Sequence, residues 1–363
     1  MRNRIFGTAI SLVLLASSAS LGAGVKKIAV LDFKPYGQAT VEQGMDVADN
    51  VRLMFYGANK YQVETYRRMM TAVGAAAKSG LDLTATQDIG RLGKALGDDV
   101  VVVGSVTNEN GKFVVHVAIT DVAKREVKAS YDGEGSDLRA TTQALVAGMS
   151  GAKNFGVLFP DEVRDLPAEK EQETRAAIAL IATPEEMALF DILSDRGRSM
   201  MLDKFWVRRD PDPNTKENEY EVAFWERVAY AQQHFTTPLR AGIETDRGKV
   251  YVIYGPPAEI EDHAAGTGSI QGWSEGSTWS SKPYYAWKYY GGKDAGGRQM
   301  VFVFVDEDLD GEFISFASTE PGYGKRIGTF SEFDANRLAA DAEDWGNTDD
   351  TTFWDPTAGE KDR

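Results

Sequence analysis

The chain has 363 residues, 42% hydrophobic and 10% aromatic, with a formal charge of −15 and no cysteine. Such a length favours two folded domains over one core, and the composition excludes a disordered chain. The charge speaks against nucleic-acid or anionic-lipid partners, and the missing cysteine excludes disulfides, thiol nucleophiles, Cys-ligated zinc, iron–sulfur clusters and a lipidated N-terminal Cys.

Residues 1–24 read as a signal peptide. Arg2 and Arg4 precede an apolar run over 5–16 that is too short to span a bilayer, and the small residues from Ser17 to Gly24 suit cleavage. The expected location is the periplasm or the exterior, with no membrane-spanning segment after cleavage.

Residues 25–150 alternate strand and helix signals. Ile28-Ala29-Val30-Leu31 predicts a buried strand, and Val41, Met45, Ala48, Val51 and Phe55 mark one face of a helix. Residues 61–65 form a second strand. Thr84 or Thr86 is expected to cap a helix that runs to Leu96 and stops at Gly97. Val100 to Val106 reads as a fully buried strand, residues 113–119 as an antiparallel one with a wetter face, and 126–131 as its partner. A helix over 136–149 closes a three-layer α/β domain.

Residues 151–182 form a polar connection or surface helix. From 183 the pattern changes, and all 7 Trp lie at or beyond Trp206. Thr183-Pro184-Glu185-Glu186 is a capping box with Pro at the first helical position. It opens a helix expected to run unbroken through Leu189, Leu193, Met200 and Phe205 to Trp206. Asp210-Pro211-Asp212-Pro213 ends it, and Asn214 or Asn218 starts another with Phe224, Val228, Ala231 and Phe235 on one face. Strands are expected over 249–254, 284–290, 299–305 and 312–317. The result is an α+β domain over 183–323, a helical pair on a small antiparallel sheet. An acidic tail, expected to be flexible, occupies 324–363.

The first half, through Ile28-Ala29-Val30-Leu31-Asp32-Phe33, the Leu96-Gly97 turn and Val101-Val102-Val103-Gly104-Ser105-Val106, resembles the α/β domain of curli-secretion and related outer-membrane assembly proteins over about residues 25–150. It lacks the lipidated Cys and the pore hairpins of the curli channel, so no channel function is implied. The second half resembles the GWxTD-domain family over about residues 185–317. Its motif stands here as Gly242-Ile243-Glu244-Thr245-Asp246, with Ile243 in place of Trp. It is supported by Phe205-Trp206, Arg209-Asp210-Pro211, Asn218-Glu219, Asp246-Arg247-Gly248 and Tyr254-Gly255-Pro256-Pro257. This resemblance implies an exported envelope-associated module without an assigned activity.

The candidate chemistry is sparse. Glu219 and Asp246 are the candidate acid–base pair. Asp210 reads rather as a turn residue, Glu219 as a complement to a helix dipole and Thr245-Asp246 as a cap, with Arg209 and Arg247 expected to pair with these acids. Arg209, Arg247, Trp273, Trp279 and Trp287 are ligand-binding candidates, the aromatic residues as a protein- or glycan-binding face. Asp306, Asp308 and Asp310 match the first half of a calcium loop but lack its bidentate Glu, so calcium is the one cofactor to consider and none is expected. No His carries a metal-site spacing, and no Gly-x-Ser-x-Gly or phosphate loop is present. The leading reading is a periplasmic, non-enzymatic binding or assembly protein whose partner is an envelope protein or glycan. The alternative is a carboxylate-dependent hydrolase of envelope polysaccharide.

Overall fold

The computed structural model describes residues 25–58, 60–151, 156–159, 171–263, 283–290, 299–306 and 308–318. These divide into two compact units, one holding the described residues up to 159 with Ala188–Arg198, the other holding 171–187 and those from Ser199 onward. The architecture is mixed α/β, with a six-stranded mixed sheet and a separate four-stranded antiparallel sheet. The proposed signal peptide and the acidic tail lie outside the described residues, as do 152–155 and 160–170 of the linker, whose end carries a helix over Glu171–Ile178.

In the first unit the elements are β1 (Lys26–Val30), β2 (Lys34–Gly37), α1 (Val41–Gly57), β3 (Tyr61–Val63), α2 (Tyr66–Lys78), α3 (Thr86–Leu96), β4 (Val100–Glu109), β5 (Lys112–Asp121), β6 (Glu126–Gly135) and α4 (Leu138–Ser150). The strand order is β3-β1-β4-β5-β6, and β2 follows β1 along the same edge of β4. Pairing is parallel among β1–β4 and antiparallel from β4 to β6. The fully apolar start of β4 is therefore central and buried, as its composition requires.

Local chemistry sets the boundaries. Thr40 and Gln43 close a reciprocal capping box at the start of α1, and Asp137 caps α4. Gly97 adopts φ 76° and ends α3, as expected. The start of α3 differs from expectation. It begins at Thr86 behind Ala85 with no side-chain cap, because the Thr84 hydroxyl donates to Asp82 at 2.6 Å. Helix α2 and strand β2 occupy stretches in which no element was expected.

Ala29, Leu31 and Val101 share a core cluster with Tyr66, Met69 and Ala76 of α2 and Ile89, Leu92 and Leu96 of α3. Alternate strand residues turn to opposite faces, so Ile28, Val30 and Val102 point away from that cluster. Helices α1 and α4 touch each other and the sheet, and neither contributes to that cluster. Each fully buried aliphatic side chain here is worth about 1.5–3 kcal/mol.

The inner face of α1 is also charged. Arg52 is 1% exposed; it donates to the Val30 carbonyl, to Asp49 at 2.6 Å and to Asp32 at 2.7 Å. Asp49 accepts in turn from the backbone N–H and hydroxyl of Ser194, and Asp46 accepts two bonds from Arg196. A Cβ at Gly197 would collide with the Asp49 carboxylate. Burial pushes the Asp49 carboxyl upward, opposed by the Arg52 guanidinium and the Ser194 bonds.

The second unit carries α5 (Glu171–Ile178), α8 (Glu219–Phe235), α9 (Asp246–Tyr254), β7 (Glu259–His263), β8 (Tyr284–Tyr290), β9 (Gln299–Val305) and β10 (Ile314–Ser318). Helices α6 (Pro184–Ile192) and α7 (Asp195–Val207) lead into it. The Thr183–Glu186 capping box forms in both directions, at 3.0 and 3.2 Å. The single helix expected from 183 to Trp206 is two. Ser194 interrupts it, accepting from Gly197 N–H as a cap for α7 while its own groups bond to Asp49.

Asn218 caps α8, and Phe224, Val228, Ala231 and Phe235 are its buried face, as expected. The strand expected over 249–254 is instead helix α9. Its alternating Val and Tyr suggest a strand, but the Thr245 cap and the contacts with α8 override them. The sheet order is β10-β9-β8-β7, all antiparallel. The expected meander from β8 to β10 is present, and β7 is an addition to it.

Candidate functional site

The GWxTD-like segment folds into a tight corner between α8 and α9. Gly242 begins a 3-10 turn whose N–H donates to Gln232 and Thr236. A Cβ on Gly242 would collide with the Ala231 carbonyl, and one on Gly248 with the Gly242 carbonyl. Close backbone approach, rather than flexibility, requires glycine at both positions. Ile243 is 4% exposed, so the position held by Trp in the motif is a core position here.

The polar members of the segment brace this corner. The Thr245 hydroxyl donates to Gly242 O at 2.7 Å and accepts from Gly248 N–H at 3.1 Å. Asp246 accepts from the Ser315 N–H of β10 at 2.8 Å and lies 3.6 Å from Lys249 Nζ. The carboxylate thus sits in the first turn of α9, where the dipole favours it, and ties the helix to the edge strand. Glu219 lies exposed in the first turn of α8, and Asp210 accepts from Asp212 N–H in the preceding turn.

The arginines take partners other than those expected. Arg209 meets Glu186 through two bonds, at 2.8 and 3.1 Å, and lies 3.6 Å above the Phe205 ring. Burial pushes the Glu186 carboxyl up, but the Arg209 and Thr183 bonds outweigh it and hold it below its ordinary range. Arg247 lies over the rings of Phe313, Tyr285 and Phe235 at 4.3, 5.1 and 5.2 Å. Burial lowers its pKa, opposed by Tyr285. Neither arginine pairs with Asp210, Glu219 or Asp246.

The aromatic candidates divide. Trp273 and Trp279 lie outside the described residues. Trp287 is 3% exposed and packs against Phe235, Tyr251 and Phe304. Its neighbour Tyr289 is buried as well, and its hydroxyl donates to Gly255 O at 3.0 Å. Gly255 holds φ 81° and ψ −163°, a region open to glycine alone. Lys288 on the opposite face spans Glu259 and Glu261 at 3.3 and 2.8 Å.

In the acidic turn after β9, Asp306 is 5% exposed and accepts from the N–H groups of Asp310 and Gly311. Asp310 accepts from Glu312 N–H, and Asp308 is exposed. Its carboxylates shape a turn, and among the described residues no three His, Cys, Asp or Glu side chains group to hold a metal.

Sequence reasoning missed Glu186 as the partner of Arg209, although its capping-box position was clear. It also missed Asp46, Asp49 and Arg52. The available signal was charge at helical spacing on the face that Ala48 and Val51 mark as buried.

A family model for the GWxTD domain matches residues 151–273. The chain carries a GWxTD domain. The match includes the bracing corner and both arginine sites, and it begins earlier and ends earlier than the motifs alone suggest. No curated protein matches the chain. Among solved structures, the LpoB C-terminal domain from Salmonella enterica is similar at 13% identity, with TM-score 0.26, covering 31% of this chain and 84% of that one. The LpoB C-terminal domain from Escherichia coli has 13% identity and TM-score 0.26, covering 33% and 88%. The PelC dodecamer from Paraburkholderia phytofirmans has 13% identity and TM-score 0.24, covering 38% and 94%. Likeness of that degree assigns neither a fold nor a function to this chain.

Proposed function

We propose that the chain is an exported, envelope-associated binding or assembly protein that acts without bond-breaking chemistry of its own. It has a three-layer α/β domain followed by a GWxTD domain in which a helical pair packs on the small sheet. Its partner is an envelope protein or glycan. Export is read from the charged, apolar and small-residue succession of residues 2–24, and no helix among the described residues is long and apolar enough to cross a membrane.

The observation that carries this reading is the use made of the motif residues. Thr245, Asp246 and Arg209 are engaged in capping, in a helix-to-strand bond and in a bidentate ion pair. A general acid or base must reach substrate, and a group that anchors backbone is poorly disposed for it. The partner-facing surface then includes Val222 and Tyr230 of α8, exposed at 44% and 41%, with the Tyr230 ring stacked on Tyr251 of α9 at 4.4 Å.

The test is cell fractionation followed by photo-crosslinking from positions 222 and 230 of the full chain. A discrete adduct in the envelope fraction is expected. A cytoplasmic location, or no discrete adduct from either position, overturns the proposal.

A further inference from the structure

The first unit contains a cleft of about 430 Å³ that none of the motifs accounts for. Its origin lies in how α3 is seated. Gly90 and Gly93 let that helix approach Arg125, Val101 and Val122 so closely that a Cβ on either glycine would collide with them. The helix therefore covers the Val101 end of β4. Register places Val103 opposite Ala118 and Ser105 opposite His116, further along the same sheet face. There the floor is open, formed by Val103, Ala118 and Val127, with Met70, Val73 and Leu83 as walls.

Two further features give the cleft chemical character. Thr120 belongs to its lining, is fully buried, and its hydroxyl has no hydrogen-bond partner among the described residues. An unmet buried hydroxyl carries a desolvation penalty that a bound donor or acceptor would remove. The charge at the rim is largely spent. The two Asp32 oxygens accept from Arg52 and Tyr66, and His116 Nδ1 is held by Asp132 at 2.7 Å. Only the exposed Lys34 stands at the mouth without an ion-pair partner among the described residues.

We propose that this cleft binds a small, uncharged, apolar molecule of one to three rings that offers one hydrogen-bonding group to Thr120. The volume suits such a molecule, and largely apolar walls with a single buried polar group are the usual make-up of such sites. The proposal stands apart from the reading of the GWxTD domain, since every residue in it belongs to the first unit.

The test uses the full chain and the neutral fluorophore N-phenyl-1-naphthylamine, which carries one N–H. Saturable enhancement is expected, with affinity at least tenfold weaker in Ala118→Trp, which fills the floor. Thr120→Val should bind about tenfold more weakly while its unfolding midpoint, without probe, rises above wild type. That opposition separates a ligand-facing hydroxyl from a packing residue. If Ala118→Trp lacks native circular dichroism, Met70→Trp at the 38%-exposed rim takes its place. No saturation, wild-type affinity in the Trp variant, or equal affinity in wild type and Thr120→Val overturns the proposal.

Discussion

The two units solve the same problem with different materials. The first buries small aliphatic residues on a central sheet and threads charge through one helix face, with Asp32, Asp49, Arg52 and Ser194 satisfying one another. The second keeps its ions nearer the surface and fills its interior with rings. Phe205, Trp206, Phe224 and Trp225 meet within 4.9–6.1 Å where α7 and α8 pack, and Phe302, Phe304, Trp287 and Tyr289 line the sheet. A buried ion network is unforgiving, because removing one member leaves the others charged and dry. A ring cluster is graded, because each ring contributes area and edge-to-face contact in its own right. The units should therefore differ in how they fail.

Arg52→Met is the sharpest way to break the first unit. It leaves Asp49 buried without its cation, and a loss of about 3–5 kcal/mol is expected in urea unfolding. A loss below about 1 kcal/mol, the scale of an exposed pair, would mean that the network does not govern this unit. Phe302→Ala, at a fully buried ring, should cost about 3–4 kcal/mol but confine its effect to the second unit, as amide exchange would show. Exchange rising equally in both units would erase the contrast drawn above.

Asp98 sharpens the comparison through pH. It is 5% exposed, both carboxylate oxygens lack a hydrogen-bond partner among the described residues, and burial followed by Glu64 raises its pKa from 3.8 to about 6. The folded state thus holds this proton more tightly than the unfolded chain does, and ionisation is penalised above pH 6. The destabilising contribution of Asp98 should therefore fade as pH falls from about 6 toward 4. Asp98→Asn should stabilise the protein by about 1–3 kcal/mol at pH 7.5, with the gain vanishing near pH 4. Thermal melts across that range would show it, and a pH-independent gain would assign the effect to something other than the carboxylate. The smallest expected effect is Thr245→Ala, about 1 kcal/mol from the lost cap, whereas Thr245→Ser should retain most of that stability. Equal losses in the two variants would count against the capping role.

The legible parts of the fold were those with short-range causes. The Thr183–Glu186 box, the Asn218 cap, the Gly97 stop and the apolar face of α8 needed only neighbours within a turn or two. The strand misread over 249–254 had the right residues for a sheet, and only packing on α8 behind the Thr245 cap makes it a helix. The break at Ser194 was hidden for a related reason, since its cause is a carboxylate 145 positions away. Of the candidate site, the bracing role of Thr245 could be read from spacing. The partners of Arg209, Arg247 and Asp246 could not, because each is a contact between separate elements.

By itself the amino-acid order determined the GWxTD motifs, the mixture of helix and strand, and where most helices begin and end. These follow from local propensity, capping and hydrophobic period, which act over a few residues. Tertiary structure alone decided which carboxylate each arginine meets, that Trp287 is core, and that a cleft remains beside α3. Those outcomes depend on strand register and helix seating, and both arise only when distant segments compete for the same buried space.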